Sequence, residues 1–402
     1  MGFTAKRPYF LQLINFEESM RYTSRLEISA VAYRQNLQFI RSWIGPKPEI
    51  SAVVKGNAYG HGISELVRIA EQAGVRHFST FSSDEAWQVN TASNQASTVM
   101  IMGMLHLEEL PELIGAGIEF FVFDFHRLEA AILAAKSIGK PAQIHLEVET
   151  GFHRTGFAEP DFEKLSDILL QNQKHLEIRG LCTHFAGAES AQNHPRVRHQ
   201  IERFQAAKAY FASRNIQPEK IHTACSAATL LFPETHFDLV RIGILGYGFW
   251  PTRETFDLIK NQIGPDQNPL RRLLTWKSEL MSLKQVRSGE YVGYGKSFQA
   301  SEDMTLGIVP VGYSHGYGRN LSNQGQVLIH GIFCPVIGTV NMNAIAVDVS
   351  LLTQPKSGDE VILIGNQGQN EITVASFAET SHLVNYEMLT RLPSEIPRRV
   401  VD

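Results

Sequence analysis

A chain of 402 residues exceeds ordinary single-domain size, and its 43% hydrophobic and 19% charged residues are the composition of a folded protein with a sizeable core, not of a disordered one. A formal charge of -4 leaves no basic excess to collect nucleic-acid phosphates, and no stretch approaches the roughly 18 uninterrupted apolar residues that a membrane-spanning helix needs. Three cysteines, Cys182, Cys225 and Cys334, are far apart and odd in number, so neither a disulfide framework nor a zinc site is expected; a reducing cytoplasm fits best.

Residues 1–24 hold basic residues and a short apolar patch, but Asn15, Glu17 and Glu18 break it before a signal-peptide core is complete, which gives an uncleaved N-terminal extension. A helix is expected around residues 29–43. Eight short apolar runs then follow: ISAVV (50–54), HFSTF, VMIMGM, FFVFD, QIHLEVE (143–149), IRGLCTHF (178–185), KIHTACS (220–226) and LVRIGIL (239–245). Between them lie segments such as ISELVRIAEQAG and DFEKLSDILLQNQ, with apolar residues at helical spacing. Strand therefore alternates with helix. Eight such units over residues 25–260 predict a parallel (β/α)8 TIM-like barrel; an open doubly wound sheet gives the same local pattern, and the count favours the barrel.

After IGPDQNP, read as a linker, the rhythm changes to strand-like runs at MSLKQV, TLGIVPVGY, QVLIH, FCPVIGTV, AIAVDV and EVILIG, separated by Gly, Asn and Ser turns. Residues 261–402 are thus expected to form a mostly-β C-terminal domain, closed by one helix near 373–383 and another from about Asn385.

Barrel active sites gather at the carboxyl ends of the strands, and the most unusual polar residues of this chain fall there. Lys55 ends the first run and opens KGNAYGHG, in which Gly60 and Gly62 bracket His61 before a helix. A lone lysine after a strand is ordinarily a solvated charge. The whole string AVVKGNAYGHG, however, resembles the pyridoxal-phosphate lysine motif of the alanine racemases, and the resemblance runs from SRLEIS to NYEMLTRLPSEIPR.

That resemblance implies pyridoxal 5'-phosphate held by Lys55 as a Schiff base, with Lys55 and Tyr294 as two bases exchanging the α-proton on opposite faces. It implies phosphate contacts from Tyr59, Ser226, Tyr386 and the backbone of Gly243 and Ile244, and places Arg241 at the pyridine nitrogen. His184, linked to Arg241 and on to His222, is implied to support the Tyr294 phenolate, since a phenol pKa near 10 makes a poor base unaided. Arg154 is implied to contact cofactor and substrate, and Tyr313 and Met342 to bind substrate.

The sequence departs from the family pattern in several places. Glu147 stands where a lysine is usual, and its carboxylate is expected to orient Arg154 in place of a carbamate. His315, Asn341 and Asn343 replace residues at the substrate side, two of them acids in the family, so a broad amino-acid racemase is kept beside strict alanine specificity. The implied protein is a cytoplasmic homodimer with shared sites, acting on a small amino acid and supplying D-alanine for the bacterial cell wall. A pyridoxal-phosphate decarboxylase on the same barrel is the alternative from another reaction class, and a carrier of the cofactor without catalysis is disfavoured by the β domain.

Overall fold

The computed structural model describes residues 22–264, 267–375 and 385–402. Most of the expected N-terminal extension, and most of the helix expected near 373–383, lie outside the described residues. The chain divides into two compact units, each drawn from separate stretches: residues 27–275 with 377–394 and 398–402, and residues 1–26 with 276–376 and 395–397.

A strand, β1 (Ser24–Ser29), leads into helix α1 (Ala30–Ile44), which starts where the Ser29 hydroxyl accepts from the Ala32 amide at 3.1 Å. Its buried face carries Tyr33, Asn36, Leu37, Ile40 and Ile44, spaced three and four apart. Asn36 is the polar exception. Its amide nitrogen donates to the Gly246 and Arg271 carbonyls at 3.1 and 2.8 Å, and its oxygen accepts from the Arg271 amide at 2.7 Å.

Eight parallel strands follow, as the sequence predicts: β2 (Glu49–Val53), β3 (His77–Ser82), β4 (Thr98–Met104), β5 (Glu119–Val122), β6 (Ala142–Glu147), β7 (Leu176–Cys182), β8 (Lys220–His222) and β9 (Leu239–Ile242). They pair in the order β8-β7-β6-β5-β4-β3-β2-β9, which makes a barrel closed except for the β8/β9 seam. Across that seam the Arg241 amide donates to Ala224 O at 2.9 Å and Asp238 N to Ile221 O at 3.0 Å. β5 and β9 are buried at every residue, as strands covered on both faces must be.

The second unit is an antiparallel sheet ordered β11 (Ser282–Val286), β12 (Met304–Val309), β15 (Ile345–Asp348), β14 (Ile332–Ile337), β13 (Gln326–Ile329), β16 (Glu360–Gln367) and β10 (Leu274–Glu279), with β17 (Asn370–Ile372) on β16. Strands β10 and β17 were not expected from the sequence; β10 reads LTWKSE, whose alternation of buried and half-buried residues is that of a one-sided strand. Trp276 at its centre is fully buried. Among the described residues, no helix is long and apolar enough to cross a membrane, and all three cysteines are free.

Replacing Asn36 by leucine keeps the volume and strands two carbonyls and one amide in the core. The expected cost is about 3 kcal/mol, read as a lower denaturation midpoint for the barrel with an unchanged denaturant slope.

Candidate active site

Lys55 leaves the carboxyl end of β2 and opens a turn, Lys55–Tyr59, wound in the left-handed sense: φ is 63° at Gly56, 51° at Asn57, 53° at Ala58 and 53° at Tyr59. For side chains with a Cβ such a run costs on the order of 1–2 kcal/mol per residue, so neighbours must hold it. They do so from both flanks. The Glu85 carboxylate accepts from Gly56 N at 2.6 Å and from Phe81 N at 2.9 Å, and the Asn57 side chain caps the next helix by accepting from Ile63 N at 3.1 Å. On the other flank Gly60, with φ of 83°, packs so closely that a Cβ would lie 1.9 Å from Leu389 O, and Arg398 Nε donates to Gly60 O at 3.0 Å. This contact seats the helix Asn385–Thr390 and with it Tyr386, whose ring stands edge-on to Tyr59 at 6.1 Å.

A cavity of about 670 Å³ opens at this end of the barrel. It is lined by Lys55, Tyr59, Glu147, Arg154, His184, Ser226, Arg241, Gly243, Ile244 and Tyr386, ten of the residues expected at the site. Phe81, Met102, Met104, Phe121 and Phe123 make an apolar flank. A second hollow of about 650 Å³, at the amino ends of β2 and β3 beside Arg41 and Arg76, gathers no comparable set.

One side of the cavity offers donors. Ser226 Oγ accepts from the Gly243 amide at 3.1 Å, and a Cβ on Gly243 would fall 2.5 Å from the Tyr59 hydroxyl, so only glycine leaves room for that phenol. Burial raises the Tyr59 phenol well above its ordinary range, with Tyr386 next among the causes, so it stays a donor at neutral pH. The Lys55 amine can be reached through the mouth but is walled in on most sides. Its pKa is lowered, first by loss of solvent and then by the Arg154 cation, against which Glu85 pulls upward.

Arg241, on β9, is 4% exposed and its guanidinium donates to Thr183 O at 2.8 Å, His222 O at 2.9 Å, Thr223 O at 3.2 Å and His222 Nδ1 at 2.5 Å. The expected Arg241–His222 link is present. The His184 link is not: that ring lies edge-on to Phe152 at 5.4 Å and makes no hydrogen bond to Arg241, whose terminal nitrogens go to three carbonyls and to His222. Burial and the Arg241, Arg154 and Lys55 charges push His184 well below the ordinary imidazole range, so it is neutral.

Glu147 also differs from expectation. Its carboxylate accepts from Thr155 Oγ at 2.6 Å, while the Arg154 guanidinium lies over the Phe152 ring at 4.4 Å. Burial raises the Glu147 pKa, countered by the Thr155 bond and then by the Arg154 charge, so the two interact through space without an ion-pair contact.

Tyr294, Tyr313 and Met342 belong to the β unit. Tyr294 is 76% exposed. Tyr313 and Met342 are set side by side, because Tyr313 N donates to Asn341 O and Ser314 N to Met342 O, both at 3.0 Å. Of the departing residues, Asn343 Nδ2 donates to Ser314 Oγ at 3.0 Å and His315 Nδ1 accepts from Gly312 N at 3.2 Å, so both brace this corner.

Sequence reasoning missed Glu85, which holds the lysine turn, and Glu119 and His145 behind Arg241. Glu119 and His145 are charged or polar residues inside apolar strand runs, a signal that was available in FFVFD's preceding Glu and in QIHLEVE.

A lysine at the mouth of a parallel barrel, with anion donors to one side and a buried guanidinium to the other, defines an enzyme of the lysine-centred barrel class. Residues 28–251 match the family model for the alanine racemase N-terminal domain and residues 273–400 that for the alanine racemase C-terminal domain. An alanine racemase of Leptospira interrogans is 34% identical over 95% of this chain and 96% of its own. The crystal structure of alanine racemase from a D-cycloserine-producing Streptomyces lavendulae superposes with a TM-score of 0.86 at 32% identity, over 96% of this chain and 98% of that one. A Bartonella henselae alanine racemase structure with covalently bound pyridoxal phosphate superposes at 0.80 with 25% identity, over 95% of this chain and 100% of that one. The chain belongs to the alanine racemase family.

Gly60→Ala adds a Cβ against Leu389 O at a left-handed position. It is expected to loosen the helix Asn385–Thr390 by about 2 kcal/mol, seen as a roughly 30-fold loss of amide-exchange protection at Leu389 with β2 protection unchanged.

Proposed function

We propose that the protein is a pyridoxal-phosphate-dependent alanine racemase, a cytoplasmic homodimer with shared sites that supplies D-alanine for peptidoglycan. The observation that carries the reading is the placement of Lys55 in one cavity with Tyr59, Ser226, Gly243, Ile244, Tyr386 and Arg241. The residues fit the cofactor. The cradle at Gly243 is a space that any Cβ would fill, it is edged by hydroxyl and amide donors suited to a phosphate, and the nearby amine has its pKa lowered.

In this reading Tyr59, Ser226, Tyr386 and the Gly243 and Ile244 backbone hold the phosphate, Lys55 is the anchor, and Arg241 is assigned to the ring nitrogen. Bound there, pyridoxal phosphate supplies an electron sink that acidifies the α-hydrogen of the amino acid it carries. Arg241 is permanently cationic and disfavours a second positive charge beside it, which restrains side reactions. The Lys55 amine, with a lowered pKa, takes or returns a proton at Nζ on the D face. Tyr294 serves the L face at its phenolic oxygen from the partner subunit; its 76% exposure leaves that oxygen free to enter a second molecule's site. Two bases are needed because one alone cannot deliver a proton to both faces of a planar carbon without rearranging.

Arg154, Tyr313 and Met342 are assigned to the substrate, Glu147 to the charge balance around Arg154, and His184 and His222 to supporting roles. In this reading residues 25–260 make up the cofactor-binding domain, to which Tyr386 returns from the closing segment, 261–402 are otherwise the domain lending Tyr294, and residues 1–24 are an N-terminal extension. His315, Asn341 and Asn343 support a second reading, racemisation of amino acids beyond alanine, which rates on alanine, serine, lysine and arginine measured side by side decide.

Lys55→Ala is expected to abolish both the visible absorbance and borohydride fixation of a pyridoxyl group; either one persisting removes the anchor from Lys55. Tyr294→Phe should slow solvent-deuterium exchange into L-alanine by on the order of 10²-fold or more while sparing the D-isomer. Co-folding these two inactive variants should restore activity, since a mixed dimer holds one site with both residues intact; a dead mixture argues against shared sites.

A further inference from the structure

The barrel interior below Arg241 holds a line of buried polar side chains that the reaction just described does not use. His222 Nε2 lies 2.8 Å from His145 Nδ1, and His145 Nε2 lies 2.7 Å from Glu119 Oε2. The other Glu119 oxygen accepts from Arg179 Nε at 3.0 Å. Glu119, His145 and His222 are each at most 3% exposed, whereas Arg179 is partly open to solvent, so the line runs from the cavity down the barrel toward the opposite end. Resting on the racemase reading above, we propose that Glu119 and His145 are positioning residues of the reaction, a relay that polarises the His145–His222 hydrogen bond and brings a carboxylate's charge to bear on Arg241.

The direction of every bond follows from its ends. A guanidinium only donates, so the His222 nitrogen facing Arg241 must be bare. His222 then carries its proton on Nε2 and donates to His145 Nδ1, which leaves the His145 proton on Nε2, aimed at Glu119. The carboxylate end imposes the same order independently, because an ionised carboxylate only accepts. Burial by itself pushes the Glu119 carboxyl up, but the hydrogen bond from His145, with His77 close by at 3.8 Å, outweighs it and holds the group well below the usual carboxylate range. His145 and His222 are both lowered by burial and so stay neutral.

The strand between the two imidazoles is shaped for their contact. At Gly180 on β7 a Cβ would lie 2.1 Å from His145 Nδ1 and 2.8 Å from His222 Nε2, so the residue with no side chain is what admits the His145–His222 bond. A barrel interior is ordinarily packed with branched apolar residues, and a run of ionisable groups there costs stability unless each is paired. Carbonyls of Thr183, His222 and Thr223 already hold the Arg241 head in place. What the relay adds is polarity: a chain of aligned hydrogen bonds in low dielectric makes His222 Nδ1 a stronger acceptor and tempers the cation facing the cavity.

Two variants cut the relay at different points in the full-length, cofactor-loaded protein. Glu119→Gln has one amide oxygen for two donors, Arg179 and His145, and Gly180→Ala parts the two imidazoles while leaving every polar group in place. With [15N]histidine labelling, the unaltered protein is expected to show His145 and His222 as single neutral tautomers protonated on Nε2. Glu119→Gln should give mixed His145 tautomers, and both variants a shifted His222 Nδ1 resonance, a displaced visible band and a fall in kcat on the order of tenfold, with KM for alanine unchanged. Arg179→Met spares the Glu119–His145 bond and should leave the tautomers as they are. Unchanged His145 and His222 resonances and native kcat in a folded Glu119→Gln or Gly180→Ala protein overturn the relay. An unaltered protein that binds no pyridoxal phosphate overturns the racemase reading instead, and the histidine resonances still decide the relay.

Discussion

The site depends on one buried cation. Arg241 sits on β9 at the seam where the barrel's strand pairing lapses, and its guanidinium spans that gap to carbonyls contributed by the loops after β7 and β8. Three carbonyl acceptors and an imidazole nitrogen take up the two terminal nitrogens, so the cation is held without a carboxylate in direct contact. A carboxylate there would neutralise the guanidinium where the cavity needs it. The counter-charge is instead set back, at Glu147 across the cavity and at Glu119 beneath it. Closing the barrel and charging the cavity are thus done by the same side chain, and His184 and His222 beside it are kept neutral by burial first and by its charge second.

The lysine is built on a different principle. Among the described residues Lys55 has no salt-bridge partner; its position comes from a left-handed turn that the backbone would not adopt unaided. Glu85 on one flank and Leu389 on the other supply what the turn's own dihedrals oppose. Stability given up locally is recovered in the barrel's apolar strands, the usual distribution in a protein whose reactive group must be held before substrate arrives.

Much of this was legible in the residues. The eight barrel strands stood out because parallel strands covered on both sides read as continuous apolar runs, whereas Lys55, Ser226 and Arg241 were singled out by the resemblance of the strings around them and not by their own residue types. Helix α1 was visible through Ser29 and the spacing of Leu37, Ile40 and Ile44. Strand β10 was not, since LTWKSE offers only two apolar residues, Leu274 and Trp276, directly after a linker. His184 illustrates a different limit. A sequence says that a histidine is inside, but whether it bonds Arg241 or rests on Phe152 is decided by ångström-scale competition with backbone carbonyls. Glu147 is similar: its charge was readable, while its choice of Thr155 over Arg154 depended on the curl of the loop between them.

The contact between Gly60 and Leu389 ties together segments more than three hundred residues apart in the chain. A ribosome therefore completes the barrel's eight strands well before it makes the segment that braces the lysine turn. Until the closing segment emerges, a nascent chain has a barrel but lacks Tyr386 and the backbone that backs Gly60. The turn at Lys55 is therefore framed last, and a chain cut short before Tyr386 lacks that frame.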